Sequence, residues 1–395
     1  MKLLKLIGSR LLSALRMVLG AAVLCTVPLF AIYYSYTTDC SGFFQGDVEL
    51  RATANMVLSG QDIIGYEKLN NSERDIMKIL AANMEPLPQT IALGSSRILQ
   101  LTKEIARTDS FFNCAMTGGD AADVLSTFYL FDRENRLPDT VIIGFDPWLL
   151  RDDVDGFDKR SDKALYTEFL NEKLGFDLTY EKEDNRAAYE ALYSPIYFQD
   201  NLTFTLRDSA GINKPQPVTG DLYSQTTEVK CSDGSLLYDA EWRNRTQELR
   251  DSDAYYQTEN LIHMQDYPKL GTFMPQVFDR FFAYAQSRGV NLVIVLTPFH
   301  PIPYDFAVGT AATDPMRYGG FLATEPSIRQ LAAKYNIPVY GSYNPHAIEG
   351  VTSADFYDGL HCTGEALEKL MWGHTSPDGS NLPAAEADDQ SGAAA

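Results

Sequence analysis

The longest apolar pattern in the chain lies at its beginning. From Met17 to Tyr34 there is no charged residue, and the run is broken mainly by Thr26 and Pro28. Its length is close to the roughly 20 residues that a helix needs to cross a bilayer, and Lys2, Lys5, Arg10 and Arg16 precede it. No clean small-x-small cleavage site follows before Tyr33-Tyr34-Ser35-Tyr36, so a retained single-pass anchor is favoured over a cleaved leader. The basic flank predicts a cytoplasmic N-terminus, an anchor in the inner-membrane lipid, and a main domain beyond Tyr36 that is extracytoplasmic, periplasmic or at the cell surface.

Residues 37–87 are polar and mixed, and read as a stalk and helical lead-in. The first strand-like run is Thr90-Ile91-Ala92-Leu93-Gly94, followed by Ser95-Ser96-Arg97 and a helical pattern of Ile98, Leu101 and Ile105. A second unit pairs Phe111-Phe112-Asn113-Cys114 with a helix opened by Gly118-Gly119, whose Val124, Leu125, Phe128 and Phe131 share a face. The third strand, Thr140 to Phe145, ends at Asp146-Pro147-Trp148.

From Leu149 to Lys269 the alternation is lost, which predicts an insertion over 149–271. Regular units resume with Thr272 as N-cap, Pro275 in the first turn, an apolar stripe through Phe282 and Ala285, and Gly289 as the stop. The strand Asn291 to Leu296, a helix from about Glu325 to Tyr335, the strand Ile337 to Tyr340 and a helix starting near Thr363 follow. Strands separated by helices predict an α/β class with a parallel sheet covered on both faces. The sheet-forming parts are then 88–148 and 272–375, after a tip and anchor over 1–36. The residues from 376 to 395 have no periodicity and are predicted to be disordered.

Charge narrows the function classes. A formal charge of −20 and pI near 4.6, with no basic stripe outside the first residues, disfavour nucleic acid as a partner. Beyond Cys25 in the apolar run, Cys40, Cys114, Cys231 and Cys362 allow three disulfide pairings or free thiols, and no Cys/His spacing suggests a metal site. No cofactor is expected. Asn70, Asn201 and Asn244 begin N-x-Ser/Thr triplets.

Residues just past the strands of a doubly wound sheet are where its chemistry collects. Ser96 follows the first strand, where it serves either as a nucleophile or, with Ser95, as a helix cap. In Asp358-Gly359-Leu360-His361 an Asp and a His three apart can stand on one side of a turn, the carboxylate ordering the imidazole as a base. The alternative is a turn capped by Asp358, with His361 packed on Trp372 or a tyrosine.

Gly94-Ser95-Ser96, Asn113 through Gly118, Gly144-Phe145-Asp146 and Asp358-x-x-His361 resemble, in order and spacing, the SGNH (GDSL-type) hydrolase superfamily. The Gly-Ser-Ser-Arg block is similar to its membrane-anchored DltD-like and alginate-acetylation-like branch. The resemblance implies a three-layer α/β/α fold with a mainly parallel, flavodoxin-like five-stranded sheet and a large insertion. It also implies Ser96 as nucleophile, Asp358 and His361 as its partners, and the Ser96 and Gly118 backbones as oxyanion donors.

Two positions depart from the pattern: Ser95 stands where the family name has Asp, and Asp146 where an Asn side chain is usual. An ionised Asp146 cannot donate, so it is protonated, points elsewhere, or leaves that donor missing. Arg97 either offsets its charge, holds an anionic substrate group, or is paired structurally. His300 is read as a loop histidine, with substrate contact or a role as base as the rival readings. Trp148, Trp242 and the tyrosines of the insertion are candidates for stacking on sugar rings, or for simple burial.

The expected function is an extracytoplasmic serine esterase or O-acyltransferase acting on acyl, chiefly acetyl, esters of a cell-envelope or exported polysaccharide. Its partners would be a saccharide or acylated polymer and a membrane acyltransferase. The alternative is a non-catalytic glycan-binding or scaffold protein of a polysaccharide assembly system.

Overall fold

The structure, a computed structural model, describes residues 2–40, 44, 47–66, 73–152, 160–180, 186–209, 215–259, 261, 264 and 266–373. The triplet at Asn70 and the tail from 376 lie outside the described residues. The chain divides into two compact units, residues 1–52 with 181–214, and residues 53–180 with 215–395.

In the first unit a helix runs over Lys2–Thr38, and its segment Arg16–Thr38, 23 residues of mean hydropathy 2.0, is long and apolar enough to cross a membrane. Phe30 and Tyr34 meet the edge of Phe198 from the helix Pro195–Ser209. Asn201 is buried, its amide oxygen accepting from Cys40 N–H at 2.9 Å and its nitrogen donating to Tyr197 O at 2.7 Å. That N-x-Thr triplet is therefore not a surface acceptor.

Among its described residues the second unit holds two sheets. In chain order its strands are β1 (Ile63–Ile64), β2 (Thr90–Leu93), β3 (Phe111–Asn113), β4 (Thr140–Gly144), β5 (Gln216–Pro217), β6 (Val229–Lys230), β7 (Leu236–Leu237), β8 (Asn291–Leu296) and β9 (Val339–Gly341). Five of them form an all-parallel sheet in the order β3-β2-β4-β8-β9, which is 2-1-3-4-5 by order of entry, the flavodoxin-like arrangement. The fold is thus a three-layer α/β/α sandwich.

Strand alternation decides what each layer buries. Ala92, Ile142 and Val295 share a core with Leu367, Leu370 and Met371 of the last helix, Gly364–Trp372. Ile91, Val141, Ile143 and Ile294, the intervening positions, are fully buried. The helices Ala121–Asp132 and Met274–Ser287 supply an aromatic layer in which Phe128 meets Phe281 at 5.0 Å and Phe278 meets Phe145 at 4.8 Å.

Several local expectations change. The pattern Ile98, Leu101, Ile105 is not one helix: a 3-10 turn over Ser96–Ile98 is followed by a single α-turn, Lys103–Ala106, capped by Thr102. The helix expected from about Glu325 starts at Pro315 and runs through Pro326, and Pro301–Thr313 before it is helical too. Their apolar residues do not fall on one stripe, and their prolines read as breakers; tertiary contacts such as Gly320 N–H to Tyr267 O at 2.6 Å hold them. Within the insertion, β5, β6 and β7 join β1 in a small antiparallel sheet of order β5-β1-β6-β7.

Thr272 is not the N-cap of Met274–Ser287. The Asp152 carboxylate, 120 positions away, accepts from the backbone N–H of Thr272, and from those of Phe273 and Met274 at 2.9 Å each. A carboxylate offers several lone pairs and a negative charge to a positive helix end, which a hydroxyl does not. Partial burial raises the Asp152 pKa, but these N–H groups together hold it below its usual value. Because the folded value is depressed, the stabilisation is present above the unfolded carboxylate pKa and is lost as pH falls through the folded one. Asp152→Asn should cost about 1 kcal/mol near neutral pH, more than Thr272→Ala, and urea unfolding at a series of pH values should show the deficit narrowing in acid.

Candidate active site

The turn after β2 is shaped by Gly94, whose φ of 155° suits glycine and whose position leaves no room for a side chain: an added Cβ would lie 3.0 Å from Gly144 O. The two serines that follow divide the work. Ser95 caps the 3-10 turn, its Oγ accepting from Arg97 N–H at 3.2 Å. Ser96 is left with its hydroxyl free to face the cleft. Asn113 braces this turn, its amide donating to Ile98 O and Leu101 O at 2.9 Å each.

The acid–base pair sits on a tight loop closed by the Phe356–Cys362 bridge and by Tyr357 N–H to His361 O at 2.9 Å. Asp358 Oδ1 accepts from the backbone N–H of Leu360 and His361 at 2.7 and 2.8 Å, and Oδ2 lies 2.9 Å from His361 Nδ1. His361 Nε2 lies 2.9 Å from Ser96 Oγ. Burial pushes the Asp358 carboxyl up, yet His361 and the two N–H groups outweigh it and hold the pKa well below the carboxylate range. An ionised carboxylate only accepts, so Nδ1 carries the proton and the Nε2 lone pair is turned to the Ser96 hydroxyl.

The expected oxyanion donors separate. Ser96 N–H and Gly118 N–H have no protein partner among the described residues. Thr117 N–H, next to Gly118, is taken by Glu73 Oε2 at 2.8 Å. Asp146 is not aimed at the cleft: it is buried, and its Oδ1 lies 2.9 Å from Arg97 Nη1. Burial raises its pKa, and Arg97 and the Ser95 hydroxyl pull it back. Of the readings open from sequence, Asp146 points elsewhere, toward Arg97.

Arg97 is likewise interior, 2% exposed, and so is not placed to bind substrate. Its Nε donates to Leu360 O at 3.1 Å, its Nη2 to Thr297 O and Pro298 O at 2.6 and 2.9 Å, and its guanidinium lies 3.8 Å from the Phe299 ring centroid. His300 is fully buried and caps the helix Pro301–Thr313, its Nδ1 accepting from Ile302 N–H while Nε2 lies 3.1 Å from Asp251 Oδ1. That carboxylate comes from the helix Gln247–Glu259 of the insertion, so no short spacing announced it. Trp148 is buried, with Nε1 donating to Gly119 O at 3.1 Å, and does not reach the cleft for stacking.

The cleft that opens on the triad has a volume of about 580 Å³, within the range of small-molecule sites. Trp242 and Tyr238 of the insertion wall it, their rings 6.1 and 6.2 Å from that of His361. Tyr66, Glu73 and Lys230 also line it and were not singled out from sequence. Asp233-Gly234 between two short apolar runs is a hairpin signal that marks β6 and β7, and hence Lys230. This hairpin docks on the nucleophile turn, with Leu236 N–H to Leu99 O at 2.8 Å and Asp233 O accepting from Asn113 N–H at 2.7 Å. Cys25, Cys114, Cys231 and Cys362 are free thiols. Burial pushes the thiols of Cys114, Cys231 and Cys362 up to about 12, which removes them as nucleophiles.

No model of a known protein family matches the chain, and no curated protein matches it either.

Removing one member of a buried ion pair strands the other. Arg97→Met should therefore destabilise the protein by about 3–5 kcal/mol, and adding Asp146→Leu should restore the part due to the stranded carboxylate but not the part due to the carbonyls of Thr297, Pro298 and Leu360. A double-mutant cycle by urea unfolding measures this coupling.

Proposed function

We propose that the chain is a membrane-anchored SGNH-type serine esterase or O-acyltransferase acting on acyl esters of an exported or cell-envelope saccharide. The hydrogen-bonded Ser96–His361–Asp358 set at the C-terminal edge of a flavodoxin-like sheet carries this reading. Ser96 Oγ attacks the ester carbonyl carbon as its proton passes to His361 Nε2, and Asp358 stabilises the imidazolium. The tetrahedral oxyanion is met by the Ser96 and Gly118 N–H groups. Its collapse breaks the bond to the alcohol, which takes the proton from His361 and leaves an acyl-Ser96 ester. Water or a sugar hydroxyl, deprotonated by His361, then releases the acyl group and restores the hydroxyl.

The apolar segment Arg16–Thr38 supports a single-pass anchor, and the basic residues before it support a main domain outside the cytoplasm. The Asp146–Arg97 pair, which removes a side-chain donor from the oxyanion position, favours a second reading, a glycan-binding scaffold without turnover.

The full-length protein in detergent should be labelled by a fluorophosphonate probe and should hydrolyse aryl acetates. Ser96→Ala should abolish both, and Asp358→Asn should lower kcat by about 10³–10⁴. Labelling that persists in Ser96→Ala defeats the assignment. A wild type that never labels yet binds glycan points to the scaffold.

A further inference from the structure

Ser96, Asp358 and His361 explain the chemistry of the cleft but not Tyr66, Glu73 and Lys230, which line it as well. Tyr66 is 5% exposed, and its hydroxyl is buried with no hydrogen-bond partner. Lys230 is 1% exposed, and among the described residues its ammonium makes no hydrogen bond or ion pair. Its nitrogen lies 5.3 Å from the centroid of the Tyr66 ring. Glu73 belongs to the helix Glu73–Asn83, and only its Oε2 is engaged, by Thr117 N–H at 2.8 Å and by Arg74 at 3.7 Å.

A buried phenol with no hydrogen-bond partner, and an ammonium on a buried side chain that meets only the face of that phenol's ring and makes no hydrogen bond, each cost stability. Such groups are tolerated where a ligand completes them. The charges of the cleft constrain which ligand this is. Glu73, Glu228, Asp239 and Asp358 line it against one lysine, so an added anion would be repelled. Burial also lowers the Lys230 pKa and raises that of Glu73, both toward the uncharged form. A hydroxyl is the neutral group that can accept from Lys230 and Tyr66 while donating to Glu73. Trp242 and Tyr238 offer the apolar ring surface that a sugar's C–H face requires.

We propose that Tyr66, Lys230 and Glu73 form a subsite for the hydroxyl groups of a neutral sugar, the alcohol portion of the ester presented to Ser96. The inference rests on the acyl-transfer reading only for what lies at Ser96. Titration calorimetry on full-length Ser96→Ala protein in detergent tests binding without turnover. The probes are partly O-acetylated xylotetraose and, as an anionic counterpart, partly O-acetylated tetragalacturonate.

The neutral oligosaccharide should bind, and Tyr66→Phe and Lys230→Met should each weaken it by about tenfold or more. Both variants should melt no lower than the parent, because each removes a polar group that makes no hydrogen bond while keeping the apolar bulk of the side chain. Unchanged affinity in the variants, tighter binding of the uronate, no binding of either probe, or lost binding accompanied by lost folding overturns the subsite. Fluorophosphonate labelling of the wild type separates the two proposals. Labelling without oligosaccharide binding overturns the subsite and leaves the acyl chemistry; binding without labelling does the reverse.

Discussion

The guanidinium of Arg97 lies where four acceptors converge beneath the cleft. They are the carbonyls of Thr297, Pro298 and Leu360 and the carboxylate of Asp146, with the Phe299 ring against its face. Thr297 and Pro298 follow β8, and Leu360 lies in the triad loop, so these carbonyls sit beyond the sheet ladder and, once buried, need donors from a side chain. A planar fork of five donors reaches all four, one more than the three donors of an ammonium. Arg97 follows Ser96 in sequence and bonds the residue before His361, so the same group that neutralises the edge also sets nucleophile and base in register.

That solution has a consequence for the site. Asp146 is committed to Arg97 and is withdrawn from the oxyanion position, leaving backbone N–H groups to meet developing charge. Two histidine–carboxylate pairs stand near each other with opposite tautomers. His361 receives Asp358 at Nδ1 and turns Nε2 to Ser96, whereas His300 accepts at Nδ1 from Ile302 and turns Nε2 to Asp251. The first arrangement leaves a lone pair over a hydroxyl; the second closes both nitrogens on the protein and, through His300 N–H to Gly359 O, supports the triad loop.

The cleft is walled by segments distant in sequence. Tyr66 follows β1, Glu73 opens a helix that packs its Arg74 on Asp123 at 2.6 Å, and Lys230, Tyr238 and Trp242 come from the insertion. The small antiparallel sheet joins these segments and lays its hairpin on the nucleophile turn. Gly234 permits that approach, since a Cβ there would collide with the Asn113 backbone. The insertion is thus part of the site's architecture.

The amino-acid sequence by itself determined the five apolar runs of the parallel sheet, because strand and helix periodicity are local properties of burial. It also marked Ser96, Asp358 and His361, because the ends of parallel strands are bound to meet at one rim. It did not reveal the carboxylate cap from Asp152, the His300–Asp251 pair, the interior course of Arg97, or the Tyr66 hydroxyl without a hydrogen-bond partner and the Lys230 ammonium over its ring. Those were decided by tertiary structure alone: each depends on which polar group, tens or hundreds of positions away, comes within hydrogen-bonding distance once water is excluded.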